Sequence, residues 1–341
     1  MQAPGPVVYT YDLLVVGAGI AGLSCAQRAA ELGLRPLVLD KSRGVGGRCA
    51  TRRVDGQPVD HGLPFLHGSD AAFLSALDGV DASPLPGWPE RVRGRGTPCH
   101  PATQSPRDRK LAFAEGVSAF PKHLAHGHEV RLQTRVERLE HGPALVLENG
   151  ERLGAPLVAV TLPCEQSRGL LQSAGDAGPE LAAISRLLDM MGTLPCCTVL
   201  AGYPLDVKAP AFDLWYPEDS TTIQVISHDS AKRPAPRFRV LVIQAHARWS
   251  RTHLDQPEEI WAAELLEEAG RLAGDWARRP LWSQAHLWRY GRTESAGDLV
   301  GPVVLPGGLG LAGELFHVGG GAQAAYLSGR ALAERLADGD R

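Results

Sequence analysis

Short, uninterrupted apolar runs along this chain are separated by longer amphipathic stretches, the pattern of an α/β fold in which buried strands alternate with helices. Leu13 to Val16 reads as a buried strand, the following residues to about Leu32 as a helix, and Pro36 to Leu39 as a second strand. ALVLENGERL (144–153) reads as a hairpin turned by Asn149-Gly150, and PLVAVTLP (156–163) as a buried strand returning to the first sheet. Leu181, Ile184, Leu188 and Met191 recur at helical spacing; RFRVLVIQA (237–245) is a strand, and a helix runs from about Pro257 to Leu272. Near the C-terminus a short strand, a glycine run and a helix from about Gly321 follow one another. Ala322, Ala325 and Gly329 let that last helix approach a neighbour closely, and Leu332 and Leu336 continue its apolar stripe.

Chemistry enters where the first strand ends. Gly17, Gly19 and Gly22 form a GxGxxG between strand and helix, with Ile20 and Ala21 in the first helical turn. Gly17 permits the tight turn, Gly19 lets a pyrophosphate approach the backbone, and Gly22 lets helix and strand pack closely. The positive end of the helix dipole then faces the phosphates. Asp40, at the end of the second strand, stands where a carboxylate accepts hydrogen bonds from an adenosine ribose. A dinucleotide is therefore expected. The Asp40 carboxylate repels a 2'-phosphate, which favours FAD or NAD over NADP, although Lys41 and Arg43 in the same loop can accept such a phosphate.

The choice between FAD and NAD lies elsewhere. Gly46, Gly47 and Arg48 make a second glycine loop that can run beside the pyrophosphate of a longer cofactor, and Gly313-Glu314 precedes the glycine run before Gly321 and Ala322. This arrangement resembles flavoproteins of the glutathione-reductase type, which close their FAD site with an acid near the ribityl chain and a helix N-terminus facing the flavin. The resemblance implies a Rossmann-type FAD-binding domain of the glutathione-reductase / p-hydroxybenzoate-hydroxylase type with a smaller α+β substrate domain. Gly62 and Val136 complete the expected cofactor contacts.

DKSRGVGGRCATRR (40–53), VDHG (59–62), ARWSRTHL (247–254), HLWRY (286–290) and AAYLSG (324–329) resemble, in order, the bacterial renalases, a branch of the flavin amine-oxidase-like proteins. The resemblance implies an oxidase that accepts a hydride at flavin N5 from dihydropyridine isomers of NAD(P)H, with oxygen as electron acceptor. Departures fall on the expected active-site face. Leu63, Pro64, Phe65 and Leu66 replace the family's Ala-Gln-Tyr-Phe, Glu314 its aspartate, Tyr326 a tryptophan, and Gln244 a histidine. A flavin amine oxidase or other small-metabolite oxidoreductase is the alternative, and an FAD-binding protein without turnover a third reading. No cysteine follows Cys197, so non-covalent FAD is expected.

Composition adds bounds. The chain has 341 residues, enough for two domains, and a net charge of -3, which implies no general affinity for nucleic acid or anionic membrane. No run is long enough to span a membrane and no signal peptide is visible, so a cytoplasmic location is expected. Six cysteines without framework spacing suit reduced thiols. The expected partition assigns residues 1–66, 111–172 and 284–341 to the FAD-binding domain and 67–110 and 173–283 to the substrate domain.

Residues 84–110, rich in Pro and Gly, carry Arg91, Arg93, Arg95, Arg107, Arg109 and Lys110. They read as a solvated loop or as a basic rim for an anionic substrate such as a pyridine dinucleotide. His123, His126 and His128 have near-ligand spacing but no acid or cysteine partner, and no metal is expected. Small-molecule pocket candidates are Phe65, Tyr216, Gln244, His246, Arg248, Trp288 and Tyr290.

Overall fold

The strand Leu13–Val16 lies inside a six-stranded sheet, fully apolar and buried because neighbours cover both faces. Its order is Val303–Leu305, Leu309–Leu311, Leu157–Val160, Leu13–Val16, Pro36–Leu39 and Glu129–Arg131, parallel except at the Val303 edge. Leu13 pairs with Pro36 on one side and Leu157 on the other, so the connections diverge at the C-terminal end of this strand. That divergence is the switch point at which open α/β sheets bind ligands. A three-stranded antiparallel layer, Val136–Glu140, Ala144–Leu147 and Arg152–Gly154, accompanies the sheet, and its hairpin turns at Asn149-Gly150 as the sequence predicts.

The computed structural model describes residues 9–95, 107–140, 144–175, 178–294 and 301–339. The chain forms two units, one from residues 1–47, 124–192 and 295–341, the other from 48–123 and 193–294. Two of the sequence-read helices, Ile20–Glu31 and Gly321–Ala337, lie in the first unit. They pack closely because Gly329 has no side chain; a Cβ there would lie 2.1 Å from the carbonyl oxygen of Ala21.

The units divide the chain differently from the expected partition. Residues 48–66, 111–123 and 284–294 lie in the second unit, and 173–192 in the first. The helix Pro179–Asp189 belongs to the first because Leu181 and Leu188 are buried in the core that also holds Leu145, Val158 and Leu171.

In the second unit a six-stranded sheet runs Trp282–Glu294, Gly192–Tyr203, Arg239–Ala245, Ile223–His228, Leu214–Trp215 and Val92–Arg93. One face is a core of Val199, Tyr203, Ile226, Ile243, Trp261 and Leu265, the last two from the helix Glu258–Ala273. Ala285 and Leu287 pack on this core, so the alternation of a strand sends His286 and Trp288 to the opposite face. Ile243 and Ala245 do the same for Gln244.

Candidate functional site

The three glycines of the first turn have three different surroundings. Gly17 has φ +112°, and a Cβ on it would lie 2.9 Å from Thr161 Oγ1. A Cβ on Gly22 would lie 1.9 Å from the carbonyl oxygen of Gly17, so only glycine lets helix and strand meet. Gly19, which caps the Ile20–Glu31 helix, has no atom within 4 Å of its Cβ position. Backbone N–H groups there are approachable at the positive end of the helix, the requirement for a pyrophosphate.

The second glycine loop lies beside the first. Gly46 N–H donates to the Ala18 carbonyl at 2.7 Å, and Gly19 and Gly46 form a parallel bridge. Asp40 accepts from Ala18 N–H and Ser42 N–H, both at 2.7 Å. Its carboxylate therefore holds the glycine turn in place, a role beyond the expected ribose contact, and its remaining lone pairs suit hydroxyl donors. Residues 133–136 run alongside, with Thr134 N–H donating to the Asp40 carbonyl at 2.8 Å and Val136 half-buried. Burial and the nearby Arg135 hold the Lys41 ammonium below its usual range; Arg43 is exposed. At the other end of the unit, Gly313 N–H donates to Ser328 Oγ at 3.1 Å, and half-buried Glu314 opens a short 3-10 turn. Gly319, Gly320 and Gly321 all have positive φ and uncrowded Cβ positions before the final helix, in which Ala322 is buried. Two helix N-termini behind glycine turns and a carboxylate at the ribose position fit a long dinucleotide such as FAD.

In the second unit the Asp60-His61-Gly62 segment is held at nearly every residue. Trp288 Nε1 donates to the His61 carbonyl at 2.9 Å, and Gln244 Nε2 donates to the Gly62 carbonyl at 2.9 Å and to that of His61 at 3.4 Å. Gly62 must be glycine, since a Cβ would lie 2.0 Å from the Arg48 carbonyl oxygen. The His61 ring is 5.3 Å from Trp288 and 5.0 Å from His286, and His286 is 4.2 Å from Trp288. Arg52 donates to Gln284 at 2.9 Å and lies 3.4 Å from His286 Nδ1. Burial, with His286 and Arg52 nearby, pushes the His61 imidazole down to about 4; burial and Arg52 push His286 down to about 4. Both rings are neutral at pH 7.

Gln244 and Trp288 of the sequence-read pocket candidates thus meet on one face, with Tyr290 half-buried on the same strand as Trp288. Phe65 and Tyr216 are buried together with Trp88, Ala112, Leu214 and Val225. His246 caps the helix Ala247–Thr252, its imidazole lowered by burial, and Arg248 is exposed on that helix.

The sequence reading missed a buried ionic cluster behind the 60–64 segment. Lys232 Nζ lies 2.5 Å from Asp60 and 2.7 Å from Asp229, and Arg233 lies 3.0 and 2.9 Å from the same two carboxylates. Lys232 also donates to the Pro64 carbonyl at 3.0 Å. Burial alone would raise the Asp60 carboxyl, but Lys232 and Arg233 hold it below its usual range. The signal in the sequence was DSAKR (229–233), three charged residues among five. The basic stretch is partly committed to packing: Arg91 pairs with Asp213 and Arg109 with Asp78, and Arg93 lies 4.0 Å over the Trp215 ring. Its residues 96–106, with Cys99, lie outside the described residues. The five described cysteines are free thiols, and among the described residues no metal-holding group of His, Cys, Asp or Glu is present. No described helix is long and apolar enough to cross a membrane.

Fold and cradle define a dinucleotide-binding protein of the Rossmann-like class, and residues 15–77 match the NAD(P)-binding Rossmann-like domain. Residues 96–337 match the flavin containing amine oxidoreductase family, and the chain belongs to that family, whose cofactor is FAD. A Mycobacterium tuberculosis protein named as a flavin-containing monoamine oxidase is 42% identical over 67 residues, 20% of this chain and 15% of the relative. A Pseudomonas pseudooxynicotine dehydrogenase is 39% identical over 57 residues, 17% of this chain and 12% of the relative. These curated relatives are thus matched over less than a sixth of their length. Among solved structures, putrescine oxidase with bound putrescine superposes with a TM-score of 0.72 at 14% identity, covering 96% of this chain and 99% of that one. Cyclohexylamine oxidase from Brevibacterium oxydans gives 0.71 at 14%, covering 96% and 99%. At such identity the likeness shows a shared fold.

Proposed function

We propose that the chain is an FAD-dependent oxidoreductase that removes a hydride from a carbon bonded to nitrogen in a small amine, with oxygen as electron acceptor, and that it works in the cytoplasm. Family membership supports the class of reaction. The observation that carries the substrate reading is the wall of His61, His286 and Trp288 beside Gln244. When bound, FAD supplies a two-electron acceptor at flavin N5. Gly17, Gly19, Gly22, Asp40, Gly46, Gly47, Gly313, Glu314 and Gly321 are the residues we assign to holding it, in a domain of the glutathione-reductase / p-hydroxybenzoate-hydroxylase type.

Each wall residue has a physical task. Trp288 offers a flat apolar face while its Nε1–H stays committed to the His61 carbonyl. His61 and His286 remain uncharged, so neither repels an amine. An imidazole near 4 is a poor base for an ammonium whose own pKa is about 10, so the wall selects the neutral amine instead of making it. Release of hydrogen peroxide from a panel of primary amines by the FAD-loaded protein tests the activity; flavin that no amine reduces would remove it.

A second reading is oxidation of dihydropyridine isomers of NAD(P)H. It rests on the renalase-like stretches at 40–53, 59–62, 247–254, 286–290 and 324–329. The weak basicity of the histidines favours it too, because such a donor regains aromaticity on losing hydride and needs no base.

A further inference from the structure

The amide of Gln244 has a fixed orientation. Both groups it meets, the carbonyl oxygens of His61 and Gly62, can only accept hydrogen bonds, so its NH2 must face them at 3.4 and 2.9 Å. Gln244 sits on the face of its strand opposite the apolar core, between the 61–62 segment and Thr198 of the paired strand, and is half-buried. Its Oε1 accepts no hydrogen bond from any described residue. Rotating the amide would set oxygen against two oxygens, so Oε1 is an acceptor that cannot exchange places with the donor end. The segment it grips does not yield easily: Trp288 holds the same His61 carbonyl, Lys232 holds the Pro64 carbonyl, and Asp60 is anchored by Lys232, Arg233, Thr51 and Val117 N–H.

We infer that Gln244 is a specificity-determining residue whose Oε1 accepts a hydrogen bond from an N–H group of the ligand. This inference rests on the reading that the His61–Trp288 wall meets a nitrogen-containing small molecule. A histidine, which the renalase-like pattern carries here, could present either a donor or an acceptor according to its tautomer. Glutamine pinned by two carbonyls presents only an acceptor, so the chain recognises ligands with an N–H and rejects isosteres without one. An amine and a nicotinamide carboxamide both carry that group.

Two ligand pairs separate the sources in the FAD-loaded protein whose flavin has first been reduced with dithionite, so that no ligand is oxidised, with dissociation constants read by anaerobic calorimetry. Benzylamine and N,N-dimethylbenzylamine are amines of similar basicity, and in the neutral form that the wall admits only the first has N–H; nicotinamide and N,N-dimethylnicotinamide differ likewise at an uncharged amide. The inference expects the N–H member of one pair to bind about tenfold more tightly, the worth of one hydrogen bond at an otherwise unpaired acceptor. A preference in the amine pair points to amines, one in the amide pair to a pyridine carboxamide. In Gln244→Met the preference should fall to about twofold or less. Trp288→Phe removes a donor to the same segment but leaves the Gln244 acceptor, so its preference should persist. Equal binding within both pairs, no binding of any of the four, or a preference unchanged in Gln244→Met would overturn the inference. Binding is read whether or not an amine is able to reduce the flavin. Failure of every amine to reduce flavin therefore counts against the proposed activity, separately from the role of Gln244.

Discussion

Gly22 lies directly against Gly17, so close that a Cβ on the one would sit 1.9 Å from the carbonyl oxygen of the other. Gly19, between them in sequence, has an uncrowded Cβ position and an ordinary φ of -75°. The two substitutions should therefore separate folding from binding. Gly22→Ala should push the helix off the strand and lower thermal stability with or without FAD. Gly19→Ala should leave the apoprotein's melting temperature unchanged and weaken FAD binding at least tenfold, because the methyl group occupies the approach to the helix N-terminus. Calorimetric melting of the apoprotein with FAD titration checks both; equal loss of stability in the two variants would contradict the assignment.

Asp40 holds the same turn through Ala18 N–H, and we propose that its remaining lone pairs take the ribose hydroxyls. Asp40→Ala should cost roughly 1.5 to 3 kcal/mol of FAD affinity, the range for hydrogen bonds to a charged acceptor. Asp40→Asn, which keeps one acceptor oxygen, should lose less. Equilibrium titration of each apoprotein with FAD measures the order; an Asn variant as weak as the Ala variant would show that charge, not hydrogen bonding, sets the contribution.

Those two sites were legible because their signals are local. Leu13 to Asp40 spans one strand, one helix and the next strand, and the hairpin at Asn149-Gly150 declares itself in the turn. The Asp60 cluster did not declare itself, since its carboxylate and the 229–233 segment are joined only by folding, and 169 residues separate Asp60 from Asp229. The same reason explains the helix Pro179–Asp189: its apolar stripe shows that it is buried, not against which unit. Gln244 was read as a pocket residue, but which end of its amide it presents depends on carbonyl groups far away in the chain.

The buried ion cluster makes a sharp stability prediction. Lys232 is fully buried between Asp60 and Asp229, so Lys232→Met leaves two buried carboxylates facing Arg233 alone. Removing one partner of a buried pair costs about 3 to 5 kcal/mol. Urea unfolding should show that loss, and a change below about 1 kcal/mol, the worth of an exposed pair, would contradict the cluster's burial.

Acid sensitivity should come from three histidines, His61 and His228 buried and His286 half-buried. Burial pushes His61 and His286 down to about 4, and burial with Arg239 and Arg91 nearby does the same for His228. Unfolded histidine titrates near 6.5, so between about 6.5 and 4 the unfolded chain binds more protons than the folded one. Stability contributed by these groups is therefore complete above about pH 6.5 and is lost as pH falls towards 4. His228→Gln should reduce the slope of stability against pH in this window by up to about 1.4 kcal/mol per pH unit, one proton's worth. Denaturant midpoints at several pH values test it, and an unchanged slope would show that His228 does not take up the proton.

The most direct test of the proposed activity is anaerobic stopped-flow mixing of the FAD-loaded protein with benzylamine, with the 2- and 6-dihydropyridine isomers of NAD and with ordinary NADH, across pH. Benzylamine should bleach the flavin, and the rate per amine concentration should rise with pH towards the amine's own pKa, because the neutral wall admits the unprotonated form and supplies no effective base. Bleaching by the isomers alone, at a rate independent of pH, would replace the amine by the dihydropyridine reading; no bleaching by any of these donors would contradict hydride transfer from a carbon bonded to nitrogen.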